Sequence, residues 1–195
     1  MVGITRFDIT DSLKGRGAHR IEDAKRYWLI ANDLYRRIFD ELGMPLMPDD
    51  EVIPCSKEDF QAGYDYQLGI DVVIRPESHA ESTLQEKFLW TNRNTVTVEH
   101  CQDWLKLEQG DWYKLKAQYY FVGYDFLKES GRFEPWVLLD WGRLQRATGQ
   151  KRIHWRLSSN HQWEEGTLAS FMWVPFDELP ADVLVASSLY AYSLL

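Results

Sequence analysis

Asp71, Gln85 and Lys87 stand inside "GIDVVIRPESHAESTLQEKFLWT", residues 69–91, a stretch that otherwise reads as two apolar strands joined by the polar turn "PESHAES". Side chains alternate across a strand, so Gln85 and Lys87 share one face while Leu84, Glu86 and Phe88 share the other. If the strands pair as a hairpin, Asp71 comes opposite Gln85 and Lys87. A carboxylate, a neutral amide and an ammonium then converge on one patch. Mg²⁺ takes hard oxygen ligands and keeps several waters, so one carboxylate and one amide carbonyl can hold it beside a phosphate. An ammonium there can orient or deprotonate an attacking water and offset charge building on a phosphorane. Metal-assisted phosphodiester hydrolysis uses these parts. Singly, each residue has a plainer explanation: a solvated turn acid, or a lysine snorkelling from a half-exposed strand. Only their joint placement points to a site, and Glu86, on the other face, is its internal control.

Asp71, thirteen intervening residues and then Gln85-x-Lys87 resembles the PD-(D/E)XK nuclease superfamily, in the variant where Gln replaces the acid of the (D/E)-x-K element. "GIDVVI" and "TLQEKF" are similar in form to the G-x-D and Q-x-K hairpin of Mrr-type restriction nucleases; the variant also occurs in the endonuclease subunit of some bacterial transposons. The resemblance spans about residues 20–125 and is carried by four or five of them. Ile70 stands where many members have Pro. The resemblance implies a restriction-endonuclease-like mixed sheet flanked by helices. It implies Mg²⁺, or Mn²⁺ as substitute, at Asp71 and Gln85, with Lys87 serving the attacking water and DNA as substrate. It further implies an acid, usually Glu, from the first helix. Glu22, Asp23 and Glu41 are the candidates there, and Asp65, near the hairpin in sequence, is another. Glu22 points away from the helix's apolar stripe and has Arg26 four residues on as a surface partner. Asp23 and Glu41 share an azimuth but lie about 27 Å apart along the axis, so at most one reaches the metal. Members carry this acid early in the helix, which favours Asp23.

The elements that must position these residues are legible from periodicity. Ile21, Ala24, Trp28, Ala31, Tyr35, Ile38 and Leu42 recur at three- and four-residue spacing and define a long amphipathic helix, stopped by Gly43 and Pro45. A loop follows over residues 44–60, then strands at 61–75 and 83–100, the latter ending in the β-branched "TVTVEH". Residues 101–118 read as helix or irregular structure. "QYYFVGYDF", "PWVLLDW" and "GTLASFMWVPF" read as strands and "GRLQRATG" as a short helix. The expectation is one α/β domain over residues 20–195, a helix and then a mainly antiparallel sheet with helices against it, preceded by a flexible arm at 1–19.

Length and composition are consistent with that domain. The chain has 195 residues, too few to demand a second core, and carries 9 Trp, 10 Tyr and 9 Phe. No apolar run approaches the ~20 residues of a membrane span, and no charged-apolar-small pattern opens the chain. Cys55 and Cys101 are far apart and outside any CxxC spacing, so reduced thiols in a cytoplasmic protein are expected. The five histidines lack zinc spacing. No G-x-S-x-G, GxGxxG or Walker loop occurs.

A formal net charge of −8 disfavours long-range attraction to nucleic acid. Residues 141–163 nevertheless hold Arg143, Arg146, Lys151, Arg152 and Arg156 without any Asp or Glu, interleaved with Trp141, Trp155 and Trp163. Cations bind phosphates and aromatics stack on bases, so this segment is the candidate DNA-contacting face; tryptophans turned into the core beneath a solvated surface are the alternative. Lys14, Arg16 and Arg20 form a second acid-free stretch. Glu99, alternating with Thr95 and Thr97, can line the same cleft or pair with a lysine across strands. Cutting both strands of a duplex favours a homodimer, and a short nuclease domain can depend on a targeting partner. The rival class is a non-catalytic accessory protein of a phage or mobile element that keeps the fold without the chemistry.

Overall fold

The computed structural model describes residues 18–44, 51–54, 69–75, 80–89, 93–125, 132–162 and 167–189; the side chains of 18–26, 28, 29, 51–54, 75, 159–162, 167 and 168 lie outside the description. Helix α1 runs Ala18–Glu41. Its buried face is Tyr27, Ala31, Leu34, Tyr35, Ile38 and Phe39, a stripe broader than the expected one and ending earlier, since Leu42 is 36% exposed. Gly43 closes the helix as expected: at φ +72° it turns the chain, and the Gly43 and Met44 N–H groups donate to Asp40 O and Phe39 O.

Among the described residues the strands form two sheets, not the single sheet expected. The larger joins β1 (Glu51–Pro54), β2 (Val72–Arg75), β3 (Ser82–Leu89), β6 (Tyr119–Tyr124), β7 (Trp136–Asp140) and β10 (Leu184–Ser187) in the order 1-2-3-6-7-10. All pairs are antiparallel except β3 with β6, which run parallel with Gln85 opposite Tyr120 and Lys87 opposite Val122. The smaller joins β4 (Thr95–Asp103), β5 (Glu108–Gln109), β8 (Arg156–Gln162) and β9 (Thr167–Pro175) in the order 5-4-9-8. The expected strand at 83–100 is therefore two strands in different sheets. The described part of the strand expected at 61–75 is Val72–Arg75. Residues 101–118 contain the end of β4, β5 and the single turn α2 (Asp111–Lys114). Helix α3 (Trp141–Gly149) starts at Asp140, whose carboxylate accepts the Arg143 N–H at 2.8 Å as an N-cap.

Strand alternation divides the larger sheet into two apolar faces. Val72, Ile74, Leu84, Phe121 and Leu138 pack with α1. Val73, Tyr120, Val122, Val137 and Leu139 pack with Val96 and Val98 of β4, Val174 of β9 and Leu144 of α3. Side chains at 85 and 87 belong to this second face, those at 84, 86 and 88 to the first. The smaller sheet is tied to the larger by Tyr120, whose hydroxyl donates to Thr97 O at 2.9 Å.

Candidate active site

Asp71 immediately precedes β2, and the β2–β3 register of Val72 with Leu84 sets it beside Gln85. The Asp71 N–H donates to Leu84 O at 2.8 Å. Its carboxylate Oδ2 accepts two hydrogen bonds, from Gln85 Nε2 and from the backbone N–H of Glu86 at 2.7 Å. The hairpin thus brings the expected acid and amide into direct contact, and the strand backbone holds the carboxylate in place. Gly69, at φ +57°, makes the close approach possible: a Cβ there would stand 2.9 Å from Gln85 Oε1 and 3.3 Å from Leu115 Cγ.

Lys87 lies two residues along β3 on the face of Gln85. Its Nζ sits 5.7 Å from the centroid of Phe171 in β9. Phe171 is in turn the register partner of Glu99 in β4, and β9 of the smaller sheet reaches the Lys87 end of the patch. Tyr120, opposite Gln85, has its phenol held well above the usual range by burial first, then by the carboxylates of Asp111 and Asp71, by Tyr124 and by Glu99. Among the described residues, however, no three His, Cys, Asp or Glu side chains are grouped closely enough to hold a metal.

Glu86 faces the other way, as the alternation requires. It accepts a 2.5 Å hydrogen bond from Tyr35 Oη on α1. Desolvation pushes its carboxyl group up to about 7, against the opposing pull of that hydrogen bond. Burial and then the neighbouring Glu86 raise the Tyr35 phenol. Of the expected helix acids, the side chains of Glu22 and Asp23 lie outside the described residues, as do Asp65 and residues 1–17 of the arm. Glu41 is exposed at the far end of α1. The described face of α1 covers the Glu86 side of the sheet, opposite Gln85 and Lys87.

Three of the five cations of the basic segment are paired with acids. Arg152 makes a two-pronged pair with Asp182 at 2.9 and 3.0 Å, Arg156 does the same with Glu178 at 2.7 and 3.0 Å, and Arg143 pairs with Asp140 at 3.3 Å. The acids come from outside residues 141–163, which is why the acid-free run looked unneutralised. Trp141 is buried, and Trp155 donates its indole N–H to Thr148 Oγ1 at 2.9 Å. Arg146 and Lys151 are exposed; Trp163 lies outside the described residues. Cys101 is a free, buried thiol near Glu108 O, and Cys55 lies outside the description.

No protein-family model matches the chain, and no curated protein or solved structure matches it. Among the described residues no helix is long and apolar enough to cross a membrane.

Three contributors escaped the sequence reading. Gly69 was legible only as the Gly of G-x-D, Tyr35 as one core residue among many, and Phe171 carried no signal at all.

Proposed function

We propose that the chain is a divalent-metal-dependent nuclease that hydrolyses phosphodiester bonds of DNA, with a restriction-endonuclease-like core. The observation carrying this reading is the direct contact of Asp71 with Gln85 on the sheet face that also bears Lys87. Supporting it, a long helix precedes two consecutive antiparallel strands holding the motif, and the second pairs in parallel with a later strand. The donor set is of the kind Mg²⁺ or Mn²⁺ takes: a carboxylate and an amide whose ends exchange by a half-turn, in a cradle where a Cβ at Gly69 would intrude. A cation bound there supplies Lewis-acid polarisation of a phosphoryl oxygen.

The chain's own groups then have distinct tasks. Asp71 stays oriented because the Glu86 N–H fixes one of its oxygens. Lys87, braced by the Phe171 ring, orients the attacking water and offsets charge on the phosphorane. DNA contacts fall to Arg146 and Lys151 in preference to the paired Arg143, Arg152 and Arg156. Calorimetric titration with Mn²⁺ tests the site: the parent binds and Asp71→Asn does not. Lys87→Ala abolishes cleavage of DNA in Mg²⁺ buffer while its thermal midpoint matches the parent's. Cleavage at parental rate by Lys87→Ala would end the assignment. The rival reading, an accessory protein without catalysis, draws on the absence of a three-acid cluster among the described residues; it requires that Mn²⁺ not bind.

A further inference from the structure

Large apolar side chains are exposed on one protrusion next to the candidate site. Trp104 is 45% exposed, Tyr113 48%, and Leu105 and Leu107 78% each. All belong to the turn linking β4 to β5 or to α2 just after it. The protrusion is built rather than loose. The buried Asp103 carboxylate accepts the Leu105 N–H at 2.9 Å and pairs with Lys106 at 3.2 Å. Leu107 closes the turn at φ +57°, a conformation a leucine seldom adopts. Gly110 presses against β4 so closely that a Cβ would lie 2.4 Å from Glu99 O.

Three rings stand in a row on it. The His100 ring centroid is 5.5 Å from that of Tyr113 and 6.2 Å from that of Trp104, and the Tyr113 hydroxyl bonds His100 Nε2 at 2.9 Å. The row adjoins the hairpin: α2, which bears Tyr113, is capped by Leu115, the residue that packs on Gly69 two positions before Asp71.

We propose that this protrusion is a base-stacking platform for unpaired nucleotides, so that the substrate presented to the Asp71–Gln85–Lys87 patch has a single-stranded portion. The inference rests on the nuclease reading for the chemistry but not for the binding. Partly exposed, mutually braced aromatic rings suit nucleobase faces, whose stacking tolerates any sequence. Leucines at a rigid tip suit the wedge that separates neighbouring bases. A stable protein partner would need some 20–30 residues on each side, far more than this tip offers. The exposed Lys116 can meet a backbone phosphate. With a net charge of −8 the chain gains little from long-range attraction. Stacking therefore carries the affinity, and its salt dependence is shallow.

Fluorescence anisotropy with a dye-labelled oligothymidine and a blunt duplex of equal length, both in EDTA, tests this on the full chain. The expected result is at least tenfold tighter binding of the single strand. Trp104→Ala combined with Tyr113→Ala removes that preference at unchanged thermal midpoint, and Lys87→Ala retains it. A log–log salt slope no steeper than about −2 is expected, as for at most three phosphates. Equal affinity for both DNAs, or parental binding by the double variant, would overturn the platform. So would concentration-dependent self-association of the parent that the double variant abolishes, since a second copy would then be the occupant. Trp104-dependent binding without any Mg²⁺-dependent cleavage keeps the platform and discards the nuclease reading. Cleavage without such binding does the reverse.

Discussion

Tyr35 on α1 donates a 2.5 Å hydrogen bond to Glu86 on β3, the residue between the two members of the Gln-x-Lys element. One residue of the strand is thereby joined to opposite sides of the sheet: its side chain to the helix, its N–H to the Asp71 carboxylate at 2.7 Å. The helix that the sequence announces most clearly therefore braces the strand behind the candidate site.

This pair predicts a pH-dependent stability. The Glu86 carboxyl group rises from an ordinary 4.5 to about 7 in the folded chain, so the fold holds a proton that the unfolded chain has released. Its stabilising contribution is complete below pH 4.5 and is lost as pH rises through about 7. Glu86→Gln flattens the thermal midpoint over that window. Tyr35→Phe removes the hydrogen bond that favours the carboxylate and moves the window further upward. Parallel midpoint-versus-pH curves for parent and Glu86→Gln would contradict the assignment.

Gly69→Ala acts on the fold and on the site together. A β-carbon at φ +57° costs about 1–2 kcal/mol. At 2.9 Å from Gln85 Oε1 it also displaces the amide. Calorimetry is expected to give weaker Mn²⁺ binding than the parent's, beyond what the lower thermal midpoint accounts for.

Tyr120→Phe isolates one link between the sheets. It removes the hydroxyl that donates to the part-buried Thr97 O, at a cost of about 0.5–1.5 kcal/mol by urea denaturation. An unchanged midpoint would mean that the sheets hold together by apolar packing alone.

The paired arginines give a prediction about DNA. Arg152→Ala and Arg156→Ala are expected to change DNA affinity less than twofold, because each guanidinium is held by Asp182 or Glu178. Arg146→Ala with Lys151→Ala is expected to weaken binding severalfold and make the salt slope shallower. Anisotropy at two salt concentrations reads both.

Local pattern was enough for much of this protein. The three- and four-residue spacing of apolar positions located α1, the Gly43 stop ended it, and period-two alternation placed Gln85 and Lys87 together with Glu86 reversed. These features depend on backbone geometry within a few residues, which a sequence carries directly. The contact of Asp71 with Gln85 needed one further step, the antiparallel register of adjacent strands, and the polar turn between them signalled it.

Long-range placement was settled only in three dimensions. The chain from Thr95 onward leaves the first sheet to build a second, a choice made by which apolar faces can cover one another rather than by strand propensity. Asp182 and Glu178 meet Arg152 and Arg156 from positions 30 and 22 residues away, so charge along the chain misjudged charge in space. Trp104 and Trp141 are the same residue type in similarly aromatic stretches, yet one is exposed and the other buried. That difference arises from neighbours remote in sequence, because burial is a property of the assembled surface and not of the residue.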